Sequence, residues 1–367
     1  MVTPTGGLPG PPRSNWIGRI RIIVIVAIIG FAVWYMLAHT NRDDLLNGLA
    51  TMNTGWVLAG VGVTLAAHLA RSIRWRLMIA GGNTIHLLNA FSATIIGYMM
   101  NNIIPRSGEV ARPYVLSRSE SRPMGTLLAT VLAERVIDGI TLAIIVVALI
   151  VAEPGNFDRI FAGYSRGGII AAVLVPLALV IGIIVVMVRT RLGERAMAAV
   201  LKRLPPRIGG KIRTFPEDFR AGIAVSGWKG ALGLAGWTVV IWTGYLLAIY
   251  CASLAFGFDR LYGLGLAGAL PLLAVTAIAV AIAPTPGGFG VYHALCFAAL
   301  TVLYGVPPGK AAAFAAVAHG APYLAVMVTG SLFFFREDLS FGDAFRRGMT
   351  AAPPRSAPIP DDDSPRT

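Results

Sequence analysis

The sequence predicts an all-α fold: a polytopic integral membrane helical bundle with re-entrant or broken helices. Three observations predict it. Of 367 residues, 56% are hydrophobic and only 13% charged. Several apolar runs exceed the roughly 18 residues that cross a bilayer. Pro/Gly breaks with polar neighbours interrupt two of those runs. With a mean hydropathy of +0.69, lipid is the chain's main solvent.

Apolar spans cover residues 20–38, 55–73, 87–104, 124–152, 168–188, 231–257, 263–283, 289–304 and 311–335. Residues 1–18 read as a disordered basic N-terminus, 19–336 as one transmembrane domain and 337–367 as a disordered cytoplasmic tail. The first span ends in His39-Thr40-Asn41 without a small-x-small cleavage signal, so it is read as a retained anchor. The 189–229 loop carries ten Lys or Arg against Glu194, Glu217 and Asp218, which makes it cytoplasmic by the positive-inside rule. Both termini are then expected in the cytoplasm, with the chain in the plasma membrane. The net charge of +13 lies between apolar spans, a layout that suits anionic lipid rather than nucleic acid. Cys251 and Cys296 both fall inside apolar spans, so neither a disulfide framework nor a cysteine metal site is indicated. No cofactor or metal is expected.

Charge parity sharpens the topology. Counted from the basic N-terminus, the 41–54 loop is outside and Arg71, Arg74 and Arg76 are inside. Counted back from 189–229, the 106–122 loop is also inside. Span 87–104 therefore has both flanks on one side. It carries Asn89, Asn101 and Asn102 and ends at Pro105, which suits a re-entrant helix sheltered by protein. The second half has two readings: three crossings, or a hairpin over 263–304 followed by one crossing. In the hairpin reading the tip is P-T-P-G-G-F-G, residues 284–290. Crossing, broken hairpin and crossing then occur twice in opposite orientation, the plan of an inverted-repeat transporter.

Chemistry is expected at the breaks, where backbone groups left unpaired in hydrocarbon need partners. Around Pro105 and Gly108 stand Asn101, Asn102, Arg106, Glu109 and Arg112. A guanidinium grips phosphate or carboxylate through two parallel hydrogen bonds. Glu134, Arg135 and Asp138 then enter the next helix, with Arg135 about 18 Å along it and near the bilayer centre. Glu134 and Asp138 share a face. An inter-helix ion pair and a headgroup path lined by Arg135 both suit them, because intramembrane charges must be paired or wet. At the other break, Pro284, Gly287 and Gly288 make the turn. His319 and Tyr323, four apart, face the same cavity or form a plain helix–helix hydrogen bond. Arg118 and Arg122 read as interfacial arginines, and His68 as packed or snorkelling. Asp43-Asp44 suggests the metal-binding acidic pair of membrane glycosyltransferases, although a solvated loop with a helix N-cap explains it more simply. No H-E-x-x-H, Walker A, G-x-S-x-G or C-x-x-C context is present.

The run N-N-I-I-P-R-S-G-E-V-A-R-P-Y-V-L-S-R is followed by V-L-A-E-R-V-I-D-G-I. With R-S-I-R-W-R at 71–76, P-T-P-G-G-F-G-V and H-G-A-P-Y, it resembles the lysylphosphatidylglycerol synthase transmembrane (flippase-like, UPF) family over about residues 20–340. The resemblance implies that 19–336 is a flippase-like domain moving a modified lipid between leaflets. Family elements fall on Pro105, Gly108, Glu109, Glu134, Arg135 and Asp138. Two departures bear on activity. The soluble aminoacyl-transfer domain is missing, so the chain is not expected to be an enzyme that makes lysylphosphatidylglycerol. Tyr292-His293 also replaces an acidic residue expected after the Gly-Gly turn, which leaves the cargo open among aminoacyl-phosphatidylglycerol, polyprenyl-linked and hopanoid-type lipids. The expected function is a lipid translocase whose partners are lipids with anionic headgroups. The alternatives are a polyprenyl-phosphate-sugar-dependent glycosyltransferase and a membrane subunit of a separate lipid-modifying synthase. Homo-oligomerisation is left open.

Overall fold

The computed structural model describes residues 42–79, 81–152, 155, 165–190 and 227–337. The expected 20–38 anchor, the basic loop over 191–226 and the tail beyond 337 lie outside the described residues. Among those described are eleven α-helices and no strand. They are α1 (Arg42–Thr51), α2 (Thr54–Met78), α3 (Leu87–Ile103), α4 (Gly108–Glu120), α5 (Met124–Ala152), α6 (Arg166–Arg189), α7 (Gly227–Phe256), α8 (Phe258–Leu261), α9 (Ala269–Ile282), α10 (Val291–Tyr304) and α11 (Pro308–Arg336). The helices α2, α5, α7 and α11, and the run Pro286–Tyr304 that contains α10, are long and apolar enough to cross a membrane.

The frame is the antiparallel pair α2 and α7. Asn53 caps α2 by accepting from the backbone N–H groups of Gly55 and Trp56, and its own N–H donates to Ala255 O at the end of α7 (2.8 Å). Small residues bring the two backbones together: Gly244 packs on Ala67 and Gly60 on Cys251.

The helices α3 and α4 form a hairpin with both outer ends at one end of the bundle. Glu120, at the end of α4, accepts from His86 N–H (3.0 Å) and from Asn89 (2.8 Å) at the start of α3. Arg122 donates to Gly81 O and Thr84 Oγ1. The 17 residues of α3 extend about 25 Å, short of the roughly 30 Å hydrocarbon core. Span 87–104 thus leads into a turn from which α4 returns to the end where α3 began, the hairpin that charge parity expects. The second half takes the hairpin reading too: Tyr304 OH donates to Gly268 O and ties the outer ends of α9 and α10, while the turn between them stops against Asn102 and Tyr323, part-way along α11.

The two hairpins enter from opposite ends, and α11 passes both. Its first half packs in a core with Phe258, Leu272, Leu300 and Phe314. Its second half packs with Trp75, Met99, Leu116 and Phe334 around the first hairpin. Ser92 near the start of α3 reaches Glu337 at the far end of α11 (2.9 Å). Crossing, opposed hairpin and crossing thus occur twice, as α2, α3–α4, α5 and as α7, α9–α10, α11. The 41–54 segment corrects one expectation: most of it is a helix rather than a loop. Asp43 and Asp44 occupy the first turn of α1, where carboxylates suit the helix dipole. That turn lies so close to α11 that a Cβ on Gly309 would sit 2.2 Å from Asp44 Cβ.

Candidate functional site

The first hairpin turns at residues 104–107, where helical pairing stops. Asn101 Oδ1 accepts the Gly108 N–H (2.7 Å) and so caps α4. Ser107 Oγ lies 2.8 Å from both Met100 O and Ile104 O. The arms pack so closely that a Cβ on Gly108 would lie 1.9 Å from Gly97 O. Arg106 holds a left-handed backbone (φ 63°), which costs an L residue about 1–2 kcal/mol. Its exposed guanidinium crosses to the second hairpin and donates to Ala281 O (3.2 Å).

The second turn, residues 283–290, meets the first. Gly287 has φ 57°, and a Cβ there would sit 2.7 Å from Asn102 Oδ1 and 2.8 Å from the Tyr323 ring. Only glycine fits this approach. Pro284 and Gly288 belong to the same turn, with Gly288 against Val280. Helix α11 answers the carbonyls that the breaks set free. His319 Nε2 lies 3.0 Å from Gly287 O, and Tyr323 OH donates to Asn102 O (2.9 Å). With His319 and Tyr323 near the middle of the 29-residue α11, about 43 Å long, the tips meet near mid-height.

Beside α3 lies a buried ionic cluster from three helices. Arg71 on α2 bonds Glu134 and Asp138 on α5, the latter at 2.7 Å. Arg74 reaches Asp138 at 2.7 Å and Glu134 at 3.5 Å. Arg112 on α4 grips Glu134 at 3.0 Å, with its guanidinium 3.9 Å from the centre of the Trp75 ring. Second contacts fix the arginines: Arg74 donates to Thr238 Oγ1 (3.0 Å) and Arg71 to Tyr245 OH (3.2 Å). Glu134 is 1% exposed and Arg74 0%, so these charges persist in an apolar medium only because they are paired. At the rim, Arg135 pairs with Glu109 (3.2 Å), each 38% exposed. Four guanidiniums thus face three carboxylates, a positive excess of one. Arg112 Nε and Nη2 and Arg74 Nε have no hydrogen-bond partner, so the cluster retains donors suited to an anionic oxygen.

The predicted residues therefore fall into two neighbouring groups. Asn101, Asn102, Arg106, Pro284, Gly287, Gly288, His319 and Tyr323 gather at the tips. Glu109, Arg112, Glu134, Arg135 and Asp138 gather in the cluster. Arg135 does not join Asp138, whose oxygens are taken by Arg71 and Arg74; it turns to Glu109. His319 and Tyr323 both face the breaks, His319 against Gly287 O in the second turn and Tyr323 against Asn102 O beside the first. His68 packs, its ring 4.2 Å from that of Tyr98. Arg71 and Arg74 are the residues that sequence reasoning missed, since charge parity used them only as markers of an inside flank. Their spacing of three, which puts both on one helix face, was the available signal. Among the described residues, no group of three or more His, Cys, Asp or Glu stands together as a metal site.

Two opposed hairpins in a frame of long apolar helices, with buried charges at their side, define a multi-pass membrane protein. The chain matches the lysylphosphatidylglycerol synthase TM region over residues 22–330, and it belongs to that family. It is 30% identical over 125 residues to a UPF0104 membrane protein of Methanocaldococcus jannaschii, covering 33% of this chain and 37% of that one. It is 22% identical over 337 residues to the glycosyltransferase AglD of Haloferax volcanii, covering 85% of this chain but 54% of the relative. A UPF0104 membrane protein of Methanothermobacter thermautotrophicus is 21% identical over 251 residues, 65% of this chain and 73% of that one. The match thus spans about a third to a half of the first two relatives. No solved structure matches the chain.

Proposed function

We propose that the protein is a lipid translocase that draws an anionic or phosphate-bearing headgroup to the junction of its hairpin tips and performs no covalent chemistry. The observation that supports this most is the uncompensated positive charge beside α3, with buried Arg112 donors unpartnered. The strained backbone of Arg106 supports it further, since strain of this kind is kept where a side chain is needed. Headgroup phosphates of phosphatidylglycerol-type and polyprenyl-type lipids supply the matching acceptors. Both termini face the cytoplasm of the plasma membrane in this reading, which the charge distribution of the loops supports.

The test is translocation of fluorescent phosphatidylglycerol and polyprenyl-phosphate analogues in proteoliposomes. Each charge-assisted contact contributes roughly 1.5–3 kcal/mol, so Arg135→Ala and Arg106→Ala should each slow the transfer about tenfold or more. Rates equal to those of empty liposomes would overturn the translocase. Folded variants with unchanged rates would overturn the residue assignment.

The glycosyltransferase name of one relative favours a second reading, in which the chain handles polyprenyl-phosphate sugars for transfer. Sugar transfer lost on Asp43→Asn would make it the leading one. A membrane subunit of a separate synthase would instead co-purify with that synthase and show no transport alone.

A further inference from the structure

The second hairpin carries a histidine arrangement that the ionic cluster does not explain. Gly287 O can only accept, so the ring nitrogen 3.0 Å from it, His319 Nε2, carries the hydrogen. The neutral ring then has a bare lone pair on Nδ1, which is buried and has no hydrogen-bond partner. His293 stands beside it, ring centres 4.9 Å apart and nearly perpendicular. Its Nδ1 accepts the Gly290 N–H (3.3 Å). Tyr292 stacks on the His319 ring at 4.5 Å. Both imidazoles are thus fixed by backbone groups of the broken turn.

The surroundings decide what a proton would do there. From α10 the titratable groups facing His319 are Tyr292 and His293, and from α11 itself Tyr323. The opposite tip brings Asn102 and the cation Arg106. The helix α1 meets α11 near Gly309 and Ala313, so Asp43 and Asp44 sit at the first turns of α11, well before His319. No Asp or Glu occurs from residue 260 to 336. An imidazolium at His319 would therefore lack a carboxylate on its own hairpin or helix, and a charge at this depth needs a counter-ion.

We infer that His319 Nδ1 is a proton-binding site whose counter-ion is the anionic oxygen of the translocated headgroup, so that proton and lipid bind together. The inference rests on the translocase reading. A proton from water adds to the Nδ1 lone pair, and the imidazolium then presents an N–H donor to the headgroup while Nε2–H still holds Gly287 O. No bond of the lipid is broken. By linkage each ligand raises the affinity of the other by the same factor. Anion affinity should therefore fall by up to about tenfold per pH unit on the alkaline side.

Calorimetry tests this with purified protein in detergent, using dioctanoyl phosphatidylglycerol and farnesyl phosphate in buffers of differing ionisation enthalpy at pH 7. Wild type should take up a measurable fraction of a proton, at most about one, per lipid bound. His319→Gln keeps an amide donor for Gly287 O but cannot protonate, so it should bind without proton uptake and with a flat pH dependence. His293→Gln should keep the uptake. Lipid binding without proton uptake by wild type overturns the inference, and that measurement suffices if His319→Gln fails to fold. Equal uptake by His319→Gln overturns it as well. Binding with proton uptake but no translocation overturns the translocase reading alone, and no binding of either lipid overturns both.

Discussion

Glu134 carries a definite stability prediction. Glu134→Gln is nearly isosteric, so it creates no cavity and changes only charge and one donor. The carboxylate is 1% exposed and faces Arg71, Arg74 and Arg112 at once. Without it, Asp138 alone opposes Arg71 and Arg74, and Arg112 has no anion. Removing one side of a buried ion pair costs about 3–5 kcal/mol, roughly two to nearly four orders of magnitude in the folding equilibrium. The control is Glu109→Gln. Its pair with Arg135 is 38% exposed on both sides, and exposed pairs contribute about 0.2–1 kcal/mol. Thermal unfolding in detergent with a thiol-reactive dye reads both variants, because Cys251 and Cys296 are 8% and 0% exposed and label only on opening. The expected order is a large drop in midpoint for Glu134→Gln and a small one for Glu109→Gln. Equal shifts would refute the view that the three-helix cluster holds the first hairpin in place.

Two further substitutions probe the hairpin itself. Gly108→Ala places a methyl 1.9 Å from Gly97 O and 2.8 Å from Asn101 Cγ; forcing the arms apart should cost at least about 1–3 kcal/mol, read by the same dye, and an unchanged midpoint would contradict the close packing. Arg106→Gly relieves the left-handed backbone, so the midpoint should hold or rise, the released strain of about 1–2 kcal/mol offsetting the exposed bond to Ala281 O. Lipid affinity should fall in the same variant, and a lower midpoint with unchanged affinity would mark Arg106 as structural.

The topology was legible in the sequence to different depths. Arginines on both flanks of span 87–104 identify a segment that returns to its own side, and α3–α4 does so. The second hairpin was undecidable because the turn over 284–290, P-T-P-G-G-F-G, carries no charge to place it. What decides it is a contact far away in the chain, the Gly287 turn against Asn102 and Tyr323. The same limit applies to the ionic cluster. The i, i+4 spacing of Glu134 and Asp138 shows that they share a face, yet nothing local says what lies opposite. Their partners Arg71 and Arg74 are more than sixty residues earlier. Asn101, His319 and Tyr323 illustrate another gap. A side chain able to grip a ligand is equally able to cap a backbone, and each of the three makes a backbone hydrogen bond at the tips.

The bonds from α11 to both tips have a consequence in time. The helix that supplies His319 to Gly287 and Tyr323 to Asn102 is the last long one in the described chain, so synthesis delivers the partners of these broken segments after the segments themselves. Until α11 emerges, neither turn has its α11 partner, and unpaired carbonyls are not tolerated against lipid tails. The hairpins are then expected to settle between the helices only once α11 arrives. A nascent chain stopped before residue 319 should expose both turns to added protease, and one extended past 337 should protect them together.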